Sequence, residues 1–262
     1  MTSSSPDLLA VAVRAARAGA EALMERFGGP VRGLETKSTA TDPVSDADRA
    51  AEDAVLSVLR RERPDDGIVS EEGGSAESRS GLRWVVDPLD GTVNYLYSIP
   101  HWAVSVAVED EEDVLVGVVL DPLRQELFTA TRGGGAQRNG APIQVSDAAS
   151  LDGSLIATGF GYDPVVRIEQ ADILTRFIGR ARDVRRAGTA SLDLVWTACA
   201  RLDGYYESGL KPWDLAAGGL IVREAGGRLG QLPRPIASDP GVVASAPGIW
   251  EELNAALREA MG

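Results

Sequence analysis

The chain has 262 residues, 44% of them hydrophobic and 25% charged, with 39 acidic against 26 basic side chains and a formal net charge of −13. This is the composition of a soluble globular protein, long enough for one large domain or two intimate subdomains. Its field repels nucleic acid and anionic membrane surfaces. The single cysteine, Cys199, excludes an intrachain disulfide, and the single histidine, His101, comes close to excluding a zinc site of His and Cys ligands.

Ser5-Pro6-Asp7 reads as an N-cap, a first-turn proline and a first-turn acid, opening a helix that runs to about Phe27 and stops at Gly28-Gly29. Arg14 and Arg17 interrupt this alanine-rich stretch, so it does not read as a signal peptide, and no apolar run reaches the length of a membrane span. A cytoplasmic location is the expectation. Ser45 and Asp48 form a capping-box-like pattern before a second helix, which starts near Asp46 and is stopped by Pro64. Short strands are predicted at "GIVS" and "RWVV", then at "WAVSVAVE", "VLVGVVLD" and "QELFTAT", with an Asn-Gly hairpin in "RNGAP". "SLIATGF" is a further strand. Helices are predicted near Ile168–Ala181 and from about Ala190 to Arg201. "GYYES", a helix "PWDLAAGGLIVREAG", strands "GRLG" and "GVVASA", and a helix from Pro247 complete a mixed α/β pattern.

The chemistry concentrates in acids. "WVVDPLDGT", residues Trp84 to Thr92, runs three apolar residues into Asp87, Pro88, Asp90 and Gly91. A strand followed by a turn accounts for it, since Asp-Pro and Asp-Gly are strong turn formers. A metal site at a strand end is the sharper alternative, and the stretch taken alone favours the turn. Hard oxygen ligands suit Mg²⁺, Mn²⁺ or Ca²⁺, but the spacing does not fit an EF-hand, and the Asp-x-Asp of aspartyl-phosphate enzymes is missing. No phosphate-binding Gly-x-x-x-x-Gly-Lys loop and no Gly-x-Ser-x-Gly elbow occurs. "IVSEEGG" is another apolar strand running into acids, Glu71 and Glu72, and "KPWDLAAGG" puts Asp214 at a helix start. A solvated acidic turn and a dipole-stabilised helix acid account for these one at a time. His101 is expected to pack beside Trp102, and Cys199 to fill a small core position.

"SEE", "WVVDPLDGTVNY" and "KPWDLAAGGLIVREAGG", in that order, resemble the inositol monophosphatase family of Mg²⁺-dependent, lithium-sensitive phosphatases. "KSTATDPVSDAD", "GAQRNGAPIQVS" and "AGTASLDL" extend the resemblance over nearly the whole chain. It implies an αβαβα sandwich, one domain over residues 1–262 with an N-terminal part to about residue 145 and a C-terminal part from about 146. It also implies two or three Mg²⁺ ions and a homodimer. The metal ligands it implies are Glu71, Asp87, the Leu89 carbonyl, Asp90 and Asp214. Thr92 with Asp48, alongside Glu71, would orient or activate the attacking water. The backbone of Gly91 and Thr92 would receive the phosphate, Ala190 and Glu207 would contact the sugar alcohol, and Leu89, Asp90, Gly188, Thr189 and Asp214 would complete the substrate-binding set. Lys211 falls at a variable position. Bound Mg²⁺ would relieve repulsion among the carboxylates and supply the positive charge that a phosphate needs in so acidic a chain. The expected reaction is hydrolysis of a small phosphate monoester, with myo-inositol 1-phosphate foremost. Histidinol phosphate, fructose 1,6-bisphosphate and 3′-phosphoadenosine 5′-phosphate are alternative substrates. A non-catalytic regulatory binding protein is the alternative from another class.

Overall fold

Helices α1 (Ser5–Met24) and α2 (Asp46–Glu62) pack together, with two short paired strands, β1 (Glu35–Thr36) and β2 (Pro43–Val44), in the connection between them. The computed structural model describes residues 5–30, 32–36 and 43–262; residues 37–42 of the "KSTATDPVSDAD" stretch lie outside these. The helix pair covers one face of an eight-stranded sheet made of β3 (Gly67–Ser70), β4 (Ser75–Ala76), β5 (Arg83–Asp90), β6 (Ala103–Glu109), β7 (Val114–Asp121), β8 (Glu126–Thr131), β9 (Gly135–Arg138) and β10 (Ala141–Pro142). The order is β10-β9-β8-β7-β6-β5-β3-β4, with β3 and β5 parallel and the other pairs antiparallel. A short helix, α3 (Thr92–Leu96), leaves the end of β5.

The second sheet contains β11 (Leu155–Thr158), β12 (Asp183–Arg185), β13 (Gly204–Glu207), β14 (Arg228–Gly230) and β15 (Val242–Ser245), ordered β12-β11-β13-β15-β14. Helices α5 (Ala190–Ala198) and α6 (Pro212–Glu224) lie between the sheets, while α4 (Pro164–Phe177) and α7 (Trp250–Met261) cover the far face of the second. The result is the αβαβα sandwich. Strands buried on both faces read as unbroken apolar runs because alternate residues serve different cores. On β5, Trp84 and Val86 face the α1–α2 core while Val85 faces the layer of α5 and α6. Among the described residues, no helix is long and apolar enough to cross a membrane.

Several boundaries differ from the sequence expectation. α1 ends at Met24 rather than near Phe27, and the residues beyond it form turns around the Leu23 carbonyl, which accepts from the Tyr95 hydroxyl at 2.7 Å. α4 begins at Pro164, four residues earlier than expected, because Asp163 caps it by accepting from Val165 N at 2.8 Å. It gives way to a 3₁₀ turn at Ile178–Arg180. α5 stops at Ala198, and Ala200 takes a left-handed φ of 63° that ends the helical path. Pro247–Ile249 forms a 3₁₀ turn ahead of α7. The Asn-Gly hairpin is as expected, with positive φ at both Asn139 and Gly140.

The most consequential difference is at "RWVVDPLD". The strand does not end at Val86 or Asp87 but runs to Asp90. Its register against β6 slips on the way: Asp87 pairs with Ser105, and Asp90 with Ala103. Three steps along β5 thus match two along β6, which is a β-bulge. Pro88 has no N–H for the ladder and is tolerated at such a place. The freed Leu89 N–H donates instead to Asp87 Oδ1 at 3.0 Å.

Candidate active site

The parallel pairing of β3 with β5 sets Ser70 opposite Val86, so the next residues, Glu71 and Asp87, leave the same sheet edge side by side. The bulge then carries the chain three residues on to Asp90. Gly91 turns it with φ +97°, and a Cβ there would come within 2.6 Å of Thr189 Oγ1 and 3.2 Å of the His101 carbonyl. Glycine is required for both reasons. Thr92 opens α3, so the N–H groups of Gly91 and Thr92 have no acceptor within that helix.

Thr92 Oγ1 lies 3.0 Å from Asp48 Oδ1 and 3.1 Å from the Leu89 carbonyl. Asp48 is held by the cap of α2, where Ser45 N and Ser45 Oγ donate to its Oδ2 at 2.8 and 2.7 Å. Asp214 comes from α6, where its Oδ2 accepts from Lys211 N at 2.7 Å. α6 approaches the first sheet closely at Gly117, where a Cβ would come within 2.7 Å of the Ala217 carbonyl oxygen. On α5, the N–H and the hydroxyl of Ser191 both donate to Asp90 Oδ2 at 2.6 Å.

Glu71, Asp87, Leu89, Asp90, Gly91, Thr92, Gly188, Thr189, Ala190, Glu207, Lys211 and Asp214 line one cavity of about 580 Å³ between the two sheets. Asp48 does not line it and reaches it only through Thr92. Seven carboxylates line this cavity against two cations, Arg186 and Lys211. No ion pair among the described residues involves Asp87, Asp90 or Asp214. Burial, and then the charges of Glu71, Asp90 and Asp214, push the Asp87 carboxyl well above the ordinary carboxylate range. Burial likewise raises Asp214, with Asp90 as the next cause. Asp90 is raised to about 6, burial outweighing the two Ser191 hydrogen bonds that favour its ionised form.

Such a set fits a hard divalent cation: oxygen donors only, buried, like-charged, and lacking the arginine or lysine that usually accompanies buried acids. As they stand, no three His, Cys, Asp or Glu side chains among the described residues are drawn into a cluster close enough to hold an ion. Glu71 and Asp87 meet in a side-chain hydrogen bond, and a cation among the acids would offset their mutual repulsion.

Other expectations are corrected. His101 is buried, but its ring meets Trp196 edge-on at 5.1 Å rather than lying against Trp102. Burial lowers its pKa to about 4, and its contribution to the site is its carbonyl, which accepts from Asn94 Nδ2 and Thr189 Oγ1. Cys199 is partly exposed at the end of α5 rather than fully in the core. Glu207 lines the cavity from the end of β13, and burial raises it to about 7, against the hydrogen bond from Tyr205. Sequence reasoning missed Arg186, Ser191, Tyr205 and Asp193. Asp193 is buried with its Oδ1 unpartnered, and burial raises its pKa well above normal. An acid between leucines in "SLDLVW" was the available signal for it.

A layered sandwich of this topology, with an acidic cavity at strand and helix ends, defines a class of metal-dependent phosphatases. The chain belongs to the inositol monophosphatase family, whose model matches residues 5–261. It is 42% identical over 222 residues to the Nus factor SuhB of Escherichia coli (strain K12), covering 84% of this chain and 83% of that one. Among solved structures, the extragenic suppressor protein suhB of Bartonella henselae superposes with a TM-score of 0.90 at 36% identity, over 97% of this chain and 99% of that one. The inositol monophosphatase of Anabaena (Nostoc) sp. PCC 7120 superposes with a TM-score of 0.82 at 34% identity, over 97% and 96% of the two chains.

Proposed function

We propose that this cavity hydrolyses a small phosphate monoester with the aid of Mg²⁺, and that myo-inositol 1-phosphate is the substrate the site suits best. The observation that carries this reading is the set of cation-free carboxylates, Asp87 and Asp90 buried and Asp214 half-buried, lining a cavity together with Gly91 and Thr92 at the start of α3. Glu71, Asp87, the Leu89 carbonyl, Asp90 and Asp214 would hold the two or three ions. Bound Mg²⁺ supplies positive charge for the phosphate and lowers the pKa of water. Thr92 donates a hydrogen bond through its hydroxyl to the Asp48 carboxylate, 3.0 Å away, and keeps an oxygen lone pair to accept a hydrogen bond from the attacking water. The amide groups of Gly91 and Thr92 receive phosphate oxygens. Glu207, with Gly188, Thr189 and Ala190, forms the wall that meets the polyol.

Phosphate release should require Mg²⁺ and disappear in Asp90→Asn, with the circular dichroism spectrum unchanged; full activity in that variant would falsify the metal assignment. Rising LiCl should inhibit where equal NaCl does not, through competition for an all-oxygen Mg²⁺ position. We also propose a homodimer, which sedimentation would reveal. The relatives named Nus factor SuhB favour a second reading, a regulatory role alongside hydrolysis. Genetic complementation by the Asp90→Asn protein separates the two: rescue by an inactive enzyme assigns the cellular role to regulation.

A further inference from the structure

Glu207 ends β13 half-buried, at the wall of the cavity. Its Oε2 accepts a 2.6 Å hydrogen bond from the hydroxyl of Tyr205, a fully buried residue two positions back on the same strand. β11 runs parallel to β13 with Thr158 opposite Tyr206, so Gly159 is the residue that flanks Glu207. A Cβ at Gly159 would overlap the Glu207 carboxylate. Gly159 does not have a positive φ, so what glycine supplies here is room rather than backbone freedom. The exits of the two strands are braced by Gln170 of α4, which accepts from Gly161 N at 2.8 Å and donates to Ser208 Oγ at 2.8 Å.

We infer that Gly159 and Tyr205 are specificity-determining positioning residues, which fix the Glu207 carboxylate where it accepts hydrogen bonds from the hydroxyls of a polyol phosphate. The inference rests on the reading of the cavity as a phosphatase site. Tyr205 occupies one lone pair of Oε2. The remaining lone pairs of the carboxylate are left for substrate hydroxyls, and the depth at which they stand is set by the absence of a side chain at Gly159. Added bulk at that position meets the far end of a flexible side chain, so it displaces the carboxylate and leaves the strands in place. A substrate without a hydroxylated ring gains little from this arrangement.

The experiment is a comparison of Gly159→Ala, Tyr205→Phe and Glu207→Ala, singly and with each of the first two combined with the third. Each is assayed with Mg²⁺ on inositol 1-phosphate and on β-glycerophosphate. Gly159→Ala and Tyr205→Phe should each raise KM for inositol 1-phosphate by about tenfold with a smaller change in kcat, and should affect β-glycerophosphate much less. In the Glu207→Ala background neither should add a further effect, since both act through that carboxylate. Tyr205→Phe keeps the core volume and carries the test if Gly159→Ala does not fold. Equal losses on the two substrates, or a further loss in the Glu207→Ala background, overturn the inference while leaving the phosphatase reading intact. A wild-type protein that hydrolyses neither substrate overturns the phosphatase reading itself, and the inference with it.

Discussion

Ser191 holds Asp90 twice, its backbone N–H and its hydroxyl both donating to the same carboxylate oxygen at 2.6 Å. The contact ties the first turn of α5 to the end of β5 across two layers of the sandwich. It fixes one oxygen of Asp90, and the Ala190 backbone N–H adds a further hydrogen bond to the same carboxylate. Hydrogen bonds to a charged group contribute roughly 1.5–3 kcal/mol. Ser191→Ala removes the hydroxyl and keeps the amide, so the Mg²⁺ concentration for half-maximal activity should rise about tenfold. Titration of phosphate release with MgCl₂ measures this, and an unaltered midpoint would show that the hydroxyl does not help present Asp90 to the metal.

The buried acids make the metal-free protein sensitive to pH in an unusual direction. Asp90 and Glu207 are raised to about 6 and about 7 from ordinary values of 3.8 and 4.5, and Asp87, Asp193 and Asp214 are raised as well. In that window the folded chain keeps protons that the unfolded chain has released, so stability falls as pH rises. His101, lowered to about 4 from 6.5, works in the opposite sense, but it is one group against five. Metal-free protein should therefore melt at least about 3 °C higher at about pH 5.5 than at about pH 7.5, since one kcal/mol moves Tm by about 2–4 °C in a chain of this size. Mg²⁺ should raise Tm more at the higher pH. Calorimetry in EDTA and in MgCl₂ checks both signs, and a metal-free Tm that climbs with pH contradicts the argument.

Much of this site was legible because its acids interrupt apolar strands, a pattern that stands out in "IVSEE" and "WVVDPLD". The capping box at Ser45 and Asp48 was legible for the same local reason, as both residues belong to one helix start. The bulge between Asp87 and Asp90 was not, because it is a register relation with β6, and residues 88–90 alone read equally well as a turn. Tyr205 and Ser191 were missed on similar grounds. In sequence they are a strand aromatic and a helix-start serine, and their partners emerge only when α5, β5 and β13 meet. The earlier start of α4 lies in the Asp163-Pro164 pair, a cap followed by a first-turn proline.

Gly117 sets how closely α6 approaches the first sheet, and thereby where Asp214 stands. A Cβ there would lie 2.7 Å from the Ala217 carbonyl oxygen and 2.9 Å from its Cα, both rigid backbone atoms. Overpacking at such a contact costs about 1–3 kcal/mol. Gly117→Val should lower the urea midpoint accordingly and should lower activity in the protein that remains folded, because displacing the helix displaces its N-terminal acid. Leu215→Ala, on the same helix and partly exposed, is the control. If Gly117→Val loses stability but keeps full activity per folded molecule, α6 tolerates displacement without moving Asp214.

Thr92 and Asp48 offer the sharpest division between chemistry and architecture. The Thr92 hydroxyl stands 3.0 Å from Asp48 Oδ1, while Asp48 Oδ2 is committed to Ser45 in the cap of α2. One carboxylate therefore serves both a helix start and the Thr92 hydroxyl proposed to direct the water. Thr92→Val keeps the shape and removes the hydroxyl, so kcat should fall by about 10²–10⁴, the range for a lost proton-transfer partner. Thr92→Ser keeps the hydroxyl and should stay much nearer to wild type. Asp48→Asn should lower kcat as well, because the amide cannot accept from Thr92 and from both Ser45 donors with equal strength. It should in addition weaken the cap, destabilising the fold by about 0.5–2 kcal/mol, a cost Thr92→Val does not share. Single-turnover phosphate release and denaturant melts on the three variants separate these effects. If Thr92→Val and Thr92→Ser lose activity together, the methyl group and its packing govern the site, and the hydroxyl has no part in directing the water.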